Sequence, residues 1–232
     1  MFTKTAEYYD ALYHFKDYSA AVDLLYQLII KLCPEANTVL DVACGTGKHL
    51  MYLNNYLIAE GLDLDENLLE VARVRSPGIS LHHADMVDFQ LHKMYDAVVC
   101  LFSSIAYVRT IENLNRVVSC MSNHLNSGGV LLIEPWLYPE RYWVNRITAN
   151  FTEQPELKIA WMYKSRLEGL TSVFDINYMV GTPGGVENFT EQHVMGLWTD
   201  EEYRQAFLNV GIQPIYDSIG FFGRGMYYGV KK

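Results

Sequence analysis

The chain has 232 residues, of which 27 are acidic and 18 basic, giving a formal charge of −9, and half of them are hydrophobic. A surface that acidic repels a phosphate backbone, so nucleic acid is not expected as a partner and a small molecule is. No run reaches the roughly 18 apolar residues of a membrane span. The start "MFTKTAEYYDALYHF" lacks the basic and apolar regions of a secretory signal. Cys33, Cys44, Cys100 and Cys120 show neither paired nor metal-ligand spacing, so buried thiols of a cytoplasmic protein without a metal are expected.

In chain order, residues 17–32 place apolar side chains at helical spacing behind a capping Asp17 or Ser19, and Pro34 follows the end. "TVLDVA" is short, β-branched and apolar, as a strand buried on both faces is. Residues 46–56 are helical in pattern, and "LIAEGLDL" gives a second strand ending at Asp63. Asp65 can cap the helix "ENLLEVARVR"; "ISLHHAD" and "YDAVVCLF" are the third and fourth strands. The helix "TIENLNRVVSCMSNHL" is expected to stop at Ser127-Gly128-Gly129, ahead of a fifth strand "VLLIEPW". Strand and helix alternate throughout, which predicts a Rossmann-like α/β fold: a largely parallel sheet of about seven strands with helices on both faces.

After Pro135 the period changes to two. "LKIAWMYKS", "TSVFDINYMV" and "ENFTEQHVMGLW" alternate in the manner of strands covered on one face, which predicts an inserted antiparallel sheet at about 150–198. Thr199 and Glu202 form a capping-box pattern for the helix "DEEYRQAFLNV", which Gly211 stops. "IQPIYDSIG" and "GRGMYYGVKK" are expected as two closing strands. There is no repeat and no low-complexity linker, so residues 1–232 are expected to form a single domain.

In an open parallel sheet a ligand sits beyond the carboxyl ends of the strands. Gly45 and Gly47 fall where the first strand passes into a helix, so backbone there can approach a ligand closely. Neither G-x-G-x-x-G nor GK[ST] is present, because Leu50 stands at the third glycine position and His49 follows Lys48. Asp63 lies eighteen positions after Gly45, at the end of the next strand, where a carboxylate can accept from ribose hydroxyls. Asp85, ending the third strand, can meet an adenine amino group. The pattern fits a nucleoside without phosphates. Asp41 either faces that ligand or satisfies backbone donors of the loop, and His82, His83 and His92 are expected as ordinary loop histidines.

"DVACGTG", followed by "GLDLDENLLEVAR", "HHADMVDF" and "YDAVVCLFSS", resembles the class I S-adenosylmethionine-dependent methyltransferases over essentially the whole chain. The resemblance implies that Asp41, Ala43, Gly45 and Gly47 line the methionine part of S-adenosylmethionine and that Asp63 holds its ribose. Leu64, Asp85 and Met86 would frame the adenine, and Leu101 and Phe102 would border the sulfonium. "YYDALYHFKDY", "FSSIAYV", "GGVLLIEPWLYPE", "EEYRQAFLNVGI" and "GRGMYYGV" are most similar to sugar N,N-dimethyltransferases of nucleotide-linked amino sugars. That likeness implies Tyr13 near the transferring methyl, Tyr107 as its catalytic companion, Tyr18 at the cofactor carboxylate and Arg224 at a phosphate. Some of these enzymes carry an arginine in the inserted sheet where Val173 stands here.

An amine acceptor needs little base catalysis. Positioning can supply ~7–11 kcal/mol of the barrier, whereas an amine two pKa units above ambient spends only ~2.7 kcal/mol on being neutral. Tyr9 and Trp136 are expected to line the acceptor, since aromatic faces suit onium groups. An O- or C-methyltransferase of another small metabolite is the alternative, and a cofactor-binding protein without catalysis a more distant one. A homodimer is the expected assembly.

Overall fold

The computed structural model describes Thr5 and residues 7–232. The central strand is β1 (Thr38–Val42), buried from Val39 onward. Its parallel neighbours are β2 (Ile58–Asp63) and β4 (Tyr95–Cys100). Beyond them lie β3 (Ser80–His83) on one side and β5 (Leu125–Ile133) on the other, also parallel. Of the C-terminal strands, β12 (Met226–Val230) adds antiparallel to β5 and β11 (Ile215–Asp217) antiparallel to β12, which completes the order β11-β12-β5-β4-β1-β2-β3.

Alternation along the buried strands feeds two cores. Val39, Ala97 and Val99 face one layer, with Val22, Leu25 and Ile29 of α2 (Tyr18–Leu32), Leu50 and Leu53 of α3 (Lys48–Leu53) and Leu69 of α4 (Glu66–Arg75). Leu40, Val42, Val98 and Cys100 face the other, with Val117 and Val118 of α5 (Ile111–Asn123) and Phe207 of α6 (Asp200–Leu208). Each Val, Leu, Ile or Phe side chain among these is worth about 1.5–3 kcal/mol when fully buried, so burial on both faces holds the sheet between helices. Capping follows the sequence reading: Asp17 accepts from Ala20, Asp65 from Asn67, and Thr199 and Glu202 close a capping box.

A second, antiparallel sheet is built from β6 (Ile147–Gln154), β7 (Leu157–Lys164), β9 (Thr171–Thr182) and β10 (Gly185–Gly196), in the order β10-β9-β7-β6, with β8 (Arg166–Glu168) paired to β9. Phe174, Ile176, Tyr178 and Val180 are its buried phase, and they join the same core as Leu40 and α5. The short helix α1 (Tyr9–Leu12) also enters this core through Ala11 and Leu12.

Several expectations need correction. The helix α5 ends at Asn123, and β5 already pairs with Tyr95 at Leu125, so Gly128 and Gly129 lie inside the strand beside a register shift. The strand β6 was not expected: only Thr152 is buried in it, so its conformation is set by backbone pairing to β7 and not by burial. Of "IQPIYDSIG" only Ile215–Asp217 is strand. Cys44 and Cys100 are buried, but Cys33 and Cys120 are half-buried.

Gly61 marks where α3 presses on the sheet. A Cβ there would lie 2.5 Å from Leu50 Cδ1, 2.7 Å from Cys44 Sγ and 2.9 Å from Leu81 Cδ2. Gly61→Ala is therefore expected to lower stability by about 1–3 kcal/mol, read as a lower urea midpoint with an unchanged slope. An unchanged midpoint would contradict this packing.

Candidate active site

The carboxyl ends of β1, β2 and β4 and the segments that follow β3 and β4 surround one cavity of about 330 Å³. Asp41, Ala43 and Gly45 line it from the β1 side, Asp63 and Leu64 from β2, Asp85 and Met86 from beyond β3, and Leu101, Phe102 and Tyr107 from beyond β4. Tyr9 and Tyr18 close it from the N-terminal segment. Gly47, Tyr13, Trp136 and Arg224 are not part of its wall.

The turn after β1 is built from left-handed backbone: Ala43 at φ 61°, Gly45 at 56° and Gly47 at 71°. The two glycines serve different ends. A Cβ on Gly45 would meet nothing within 4 Å, because the cavity lies there. A Cβ on Gly47 would meet the Cβ of Ala72 at 3.0 Å, so Gly47 lets α4 pack against the start of α3. After β4, Phe102 (φ 54°) and Ser103 (φ 64°) form a second left-handed corner. For residues with a side chain this costs about 1–2 kcal/mol each. The corner is fixed from three sides. Glu134 Oε2 accepts from Phe102 N at 2.7 Å, Ser103 Oγ donates to Pro135 O at 2.7 Å, and Arg224 Nη1 donates to Ser103 Oγ at 3.0 Å.

Three carboxylates converge here. Asp63 spans the glycine turn: Oδ2 accepts from Gly45 N at 2.7 Å and Oδ1 from Asp65 N at 2.8 Å. Burial nevertheless raises its pKa, as it does for Glu134. Asp41 is 1% exposed, and neither of its carboxylate oxygens has a hydrogen-bond partner among the described residues. Burial, then the charges of Asp63 and Glu134, hold its pKa well above the usual carboxylate range. Asp41 thus does not satisfy the loop's backbone donors. An orphaned carboxylate beside a turn with room for a ligand suits a small molecule that carries positive charge and ribose hydroxyls. The residues present fit S-adenosylmethionine on those grounds.

Beyond Tyr107 the cavity meets the second sheet. Tyr107 Oη and His193 Nδ1 on β10 are hydrogen-bonded at 2.8 Å. Burial drives the Tyr107 phenol well above its usual 10 and lowers His193 to about 4, so both are neutral near pH 7. Thr5 N and Oγ1 both donate to Glu191, and Tyr8 Oη donates to Glu187 at 3.0 Å, tying the N-terminal segment to β10. At its other end Asp10 pairs with Arg75 and Lys48 and accepts from Thr46 Oγ1 at 3.1 Å, next to the glycine turn.

Tyr13 faces a separate polar recess of about 410 Å³ with Lys16, Tyr18 and Lys48. Its ring meets Phe102 edge-on at 5.1 Å and Tyr9 at 4.7 Å. Lys16 Nζ sits 2.8 Å from the Phe102 ring centre and has no hydrogen-bond partner among the described residues. Burial, then the Arg224 charge, push its pKa down to about 7. Arg224 lies 5.3 Å from the same Phe102 ring and 4.7 Å from Trp136, whose indole donates to Ser172 Oγ at 3.1 Å. Val173 is buried, and the neighbouring Arg166 is engaged by Asp175 and Glu168.

Lys16 and His193 were not singled out from the sequence. His193 does carry a signal, since it falls with Glu191 on the buried phase of an alternating strand. Lys16 carries none, because only the tertiary fold brings it to Phe102. Among the described residues no group of three His, Cys, Asp or Glu side chains is arranged to hold a metal. His82 instead bonds Glu60 at 2.8 Å and His83 the Leu64 carbonyl at 2.9 Å.

Residues 39–129 match the methyltransferase domain family. The dTDP-3-amino-3,4,6-trideoxy-alpha-D-glucopyranose N,N-dimethyltransferase of Streptomyces venezuelae is 37% identical, covering 97% of this chain and 97% of that protein. The dTDP-4-amino-2,3,4,6-tetradeoxy-D-glucose N,N-dimethyltransferase of Saccharopolyspora spinosa is 36% identical, covering 97% and 92%. The S-adenosylmethionine-bound amino pentose methyltransferase CalS10 of Micromonospora echinaspora superposes with a TM-score of 0.89 at 32% identity, covering 97% of this chain and 96% of that one. Likeness at this level runs through the glycine turn, the second sheet and the closing strands alike. The chain belongs to the sugar N,N-dimethyltransferase family of the class I S-adenosylmethionine-dependent methyltransferases.

Proposed function

We propose that this enzyme methylates the amino group of a dTDP-linked amino sugar twice, to the dimethylamine. Bound S-adenosylmethionine supplies an electrophilic methyl group on a sulfonium and leaves as S-adenosylhomocysteine. In this reading Asp63 accepts from the ribose hydroxyls with the lone pairs that Gly45 and Asp65 leave open. Leu64, Asp85 and Met86 frame the base. Asp41 faces positive charge, Tyr18 borders the amino-acid end, and Leu101 and Phe102 border the sulfonium.

The observation that carries the choice of an amine is the Tyr107–His193 pair, in which neither partner is a ready base at neutral pH. A hydroxyl acceptor would require one. An amine brings its own lone pair, and the low-dielectric wall that Tyr9 and Tyr107 give the cavity favours its neutral form. These side chains then act by position, the larger contribution for an amine. Lys16 and Arg224, two cations against one ring, repel each other, which the Glu134 charge offsets only in part, and a diphosphate would join them. Arg224 is the residue expected from the sequence for this role, and Lys16 supplies a second cation in a chain that has no arginine at Val173. The four free cysteines support a cytoplasmic location.

Incubation with S-adenosylmethionine and a panel of dTDP-3-amino and dTDP-4-amino deoxysugars should give, by mass spectrometry, products heavier by one and then two methylene units. A methyl found on oxygen, or turnover confined to acceptors without a nucleotide, would replace this reading with the hydroxyl or small-metabolite alternative. Tyr107→Phe is expected to lower kcat by less than about tenfold, whereas loss of a general base costs 10²–10⁴-fold. A loss in that larger range would make Tyr107 a base.

The Lys16 ammonium gives a pH signature. Its pKa in the free protein is about 7, and a bound diphosphate stabilises the charged form, so binding takes up a proton above pH 7. KM for the nucleotide sugar should rise about fivefold from pH 7 to pH 8, and Lys16→Met should flatten that rise. A KM equally steep in the variant would remove Lys16 from the diphosphate site.

A further inference from the structure

His49 is the second residue of α3, and the ribose, sulfonium and adenine assignments leave it without a role. It is 8% exposed and borders the cofactor cavity, yet its Nε2 has no hydrogen-bond partner among the described residues. A buried imidazole nitrogen without a partner costs the fold free energy, so a residue kept there for packing alone would be better apolar. Its ring neighbours are aromatic: the ring meets Tyr18 edge-on at 4.9 Å and lies 6.3 Å from Phe222.

Position says which part of the cofactor His49 reaches. Asp63 ends β2, and Asp85 follows β3, both on one side of β1. Phe222 lies between β11 and β12, on the opposite side. With the ribose at Asp63 and the base beyond it, the end of the ligand that reaches toward Phe222 and Tyr18 is the one farther from the base. That end of S-adenosylmethionine is an amino acid, with an ammonium that donates and a carboxylate that accepts. Burial and the nearby Lys16 charge lower the His49 pKa to about 3, so the ring is neutral and offers one N–H and one lone pair. Either tautomer therefore finds a complement in such a zwitterion.

We propose that His49 hydrogen-bonds the amino-acid head of the cofactor and so positions the sulfonium end within the cavity. This rests on the ribose assignment to Asp63 made above. His49 is a residue for holding and aiming the ligand and takes no part in proton transfer.

Calorimetry with two ligands tests it. S-adenosylhomocysteine carries the amino-acid head, and 5′-deoxy-5′-methylthioadenosine lacks it while keeping base, ribose and sulfur. His49→Phe should weaken S-adenosylhomocysteine about tenfold, as loss of one hydrogen bond to a charged group does, and change the headless ligand less than twofold. His49→Gln, which keeps a polar group, should recover most of the loss. Equal weakening of both ligands would mean that His49 only shapes the cavity, and no weakening of either would mean that it faces nothing; both outcomes overturn the proposal. Should His49→Phe fail to fold, His49→Leu carries the same comparison. If Asp63→Ala leaves the headless ligand unaffected, the ribose assignment fails, an outcome separable from the His49 result.

Discussion

Negative charge held out of water at the carboxyl end of the sheet is the constraint on which this molecule turns. Asp41, Asp63 and Glu134 stand at the ends of β1, β2 and β5, all buried, and the charges of Asp63 and Glu134 add to burial in raising the cost of ionising Asp41. Backbone donors offset part of that cost for two of them: Gly45 and Asp65 for Asp63, Phe102 for Glu134. Asp41 receives none among the described residues. At neutral pH an unfolded chain would ionise all three freely, so acids whose pKa rises on folding work against the free fold there. A cationic ligand reverses that sign. The fold thus carries a destabilised carboxylate cluster that a cationic ligand would relieve, and the left-handed residues Ala43, Phe102 and Ser103 lie at the same end of the sheet.

The same carboxylates organise the backbone. Glu134 does more than add charge, since its bond to Phe102 N fixes the ring against which Tyr13, Lys16 and Arg224 all rest. Asp63 ties the glycine turn to the start of α4, so the turn's shape and the second strand's end are one unit. The N-terminal segment then bridges the halves of the site. Asp10 anchors it at the glycine turn and Thr5 and Tyr8 anchor it on β10, with Tyr9 facing the cavity between them.

What the sequence made legible follows from what governs each feature. Strands β1, β2 and β4 and helices α2, α4 and α6 are fixed by local patterns, apolar runs and caps, and these can be read directly. The strand β6 can not, because its one buried residue leaves no periodicity and its form comes from a partner strand. The end of α5 was misplaced because Gly128-Gly129 is a strong stop signal used here for a strand irregularity. In the site, Asp41, Gly45 and Asp63 are legible because they sit at strand ends, where topology fixes their direction. Gly47 follows the same motif but faces α4, a distinction that depends on which way a missing Cβ would point. Lys16 and His193 depend on contacts between distant segments, 86 positions apart for Tyr107 and His193, and no local pattern encodes those.

Net charge illustrates the same limit from another side. A chain of charge −9 is a poor partner for a polyanion, since repulsion accumulates over the many phosphates of a nucleic acid. A single diphosphate samples only its immediate surroundings, which in the proposal above would be Lys16 and Arg224 beside Phe102. The interior is accordingly divided. Asp41 and Asp63 line the cavity, and Lys16 lines the recess beside it with its ammonium against the Phe102 ring. Under the proposal above, opposite local fields at these two places would orient a cation toward an anion-bearing acceptor. Such a partition depends on placement and not on composition, so a count of acids and bases argues against a polyanion without revealing where a single anion could bind.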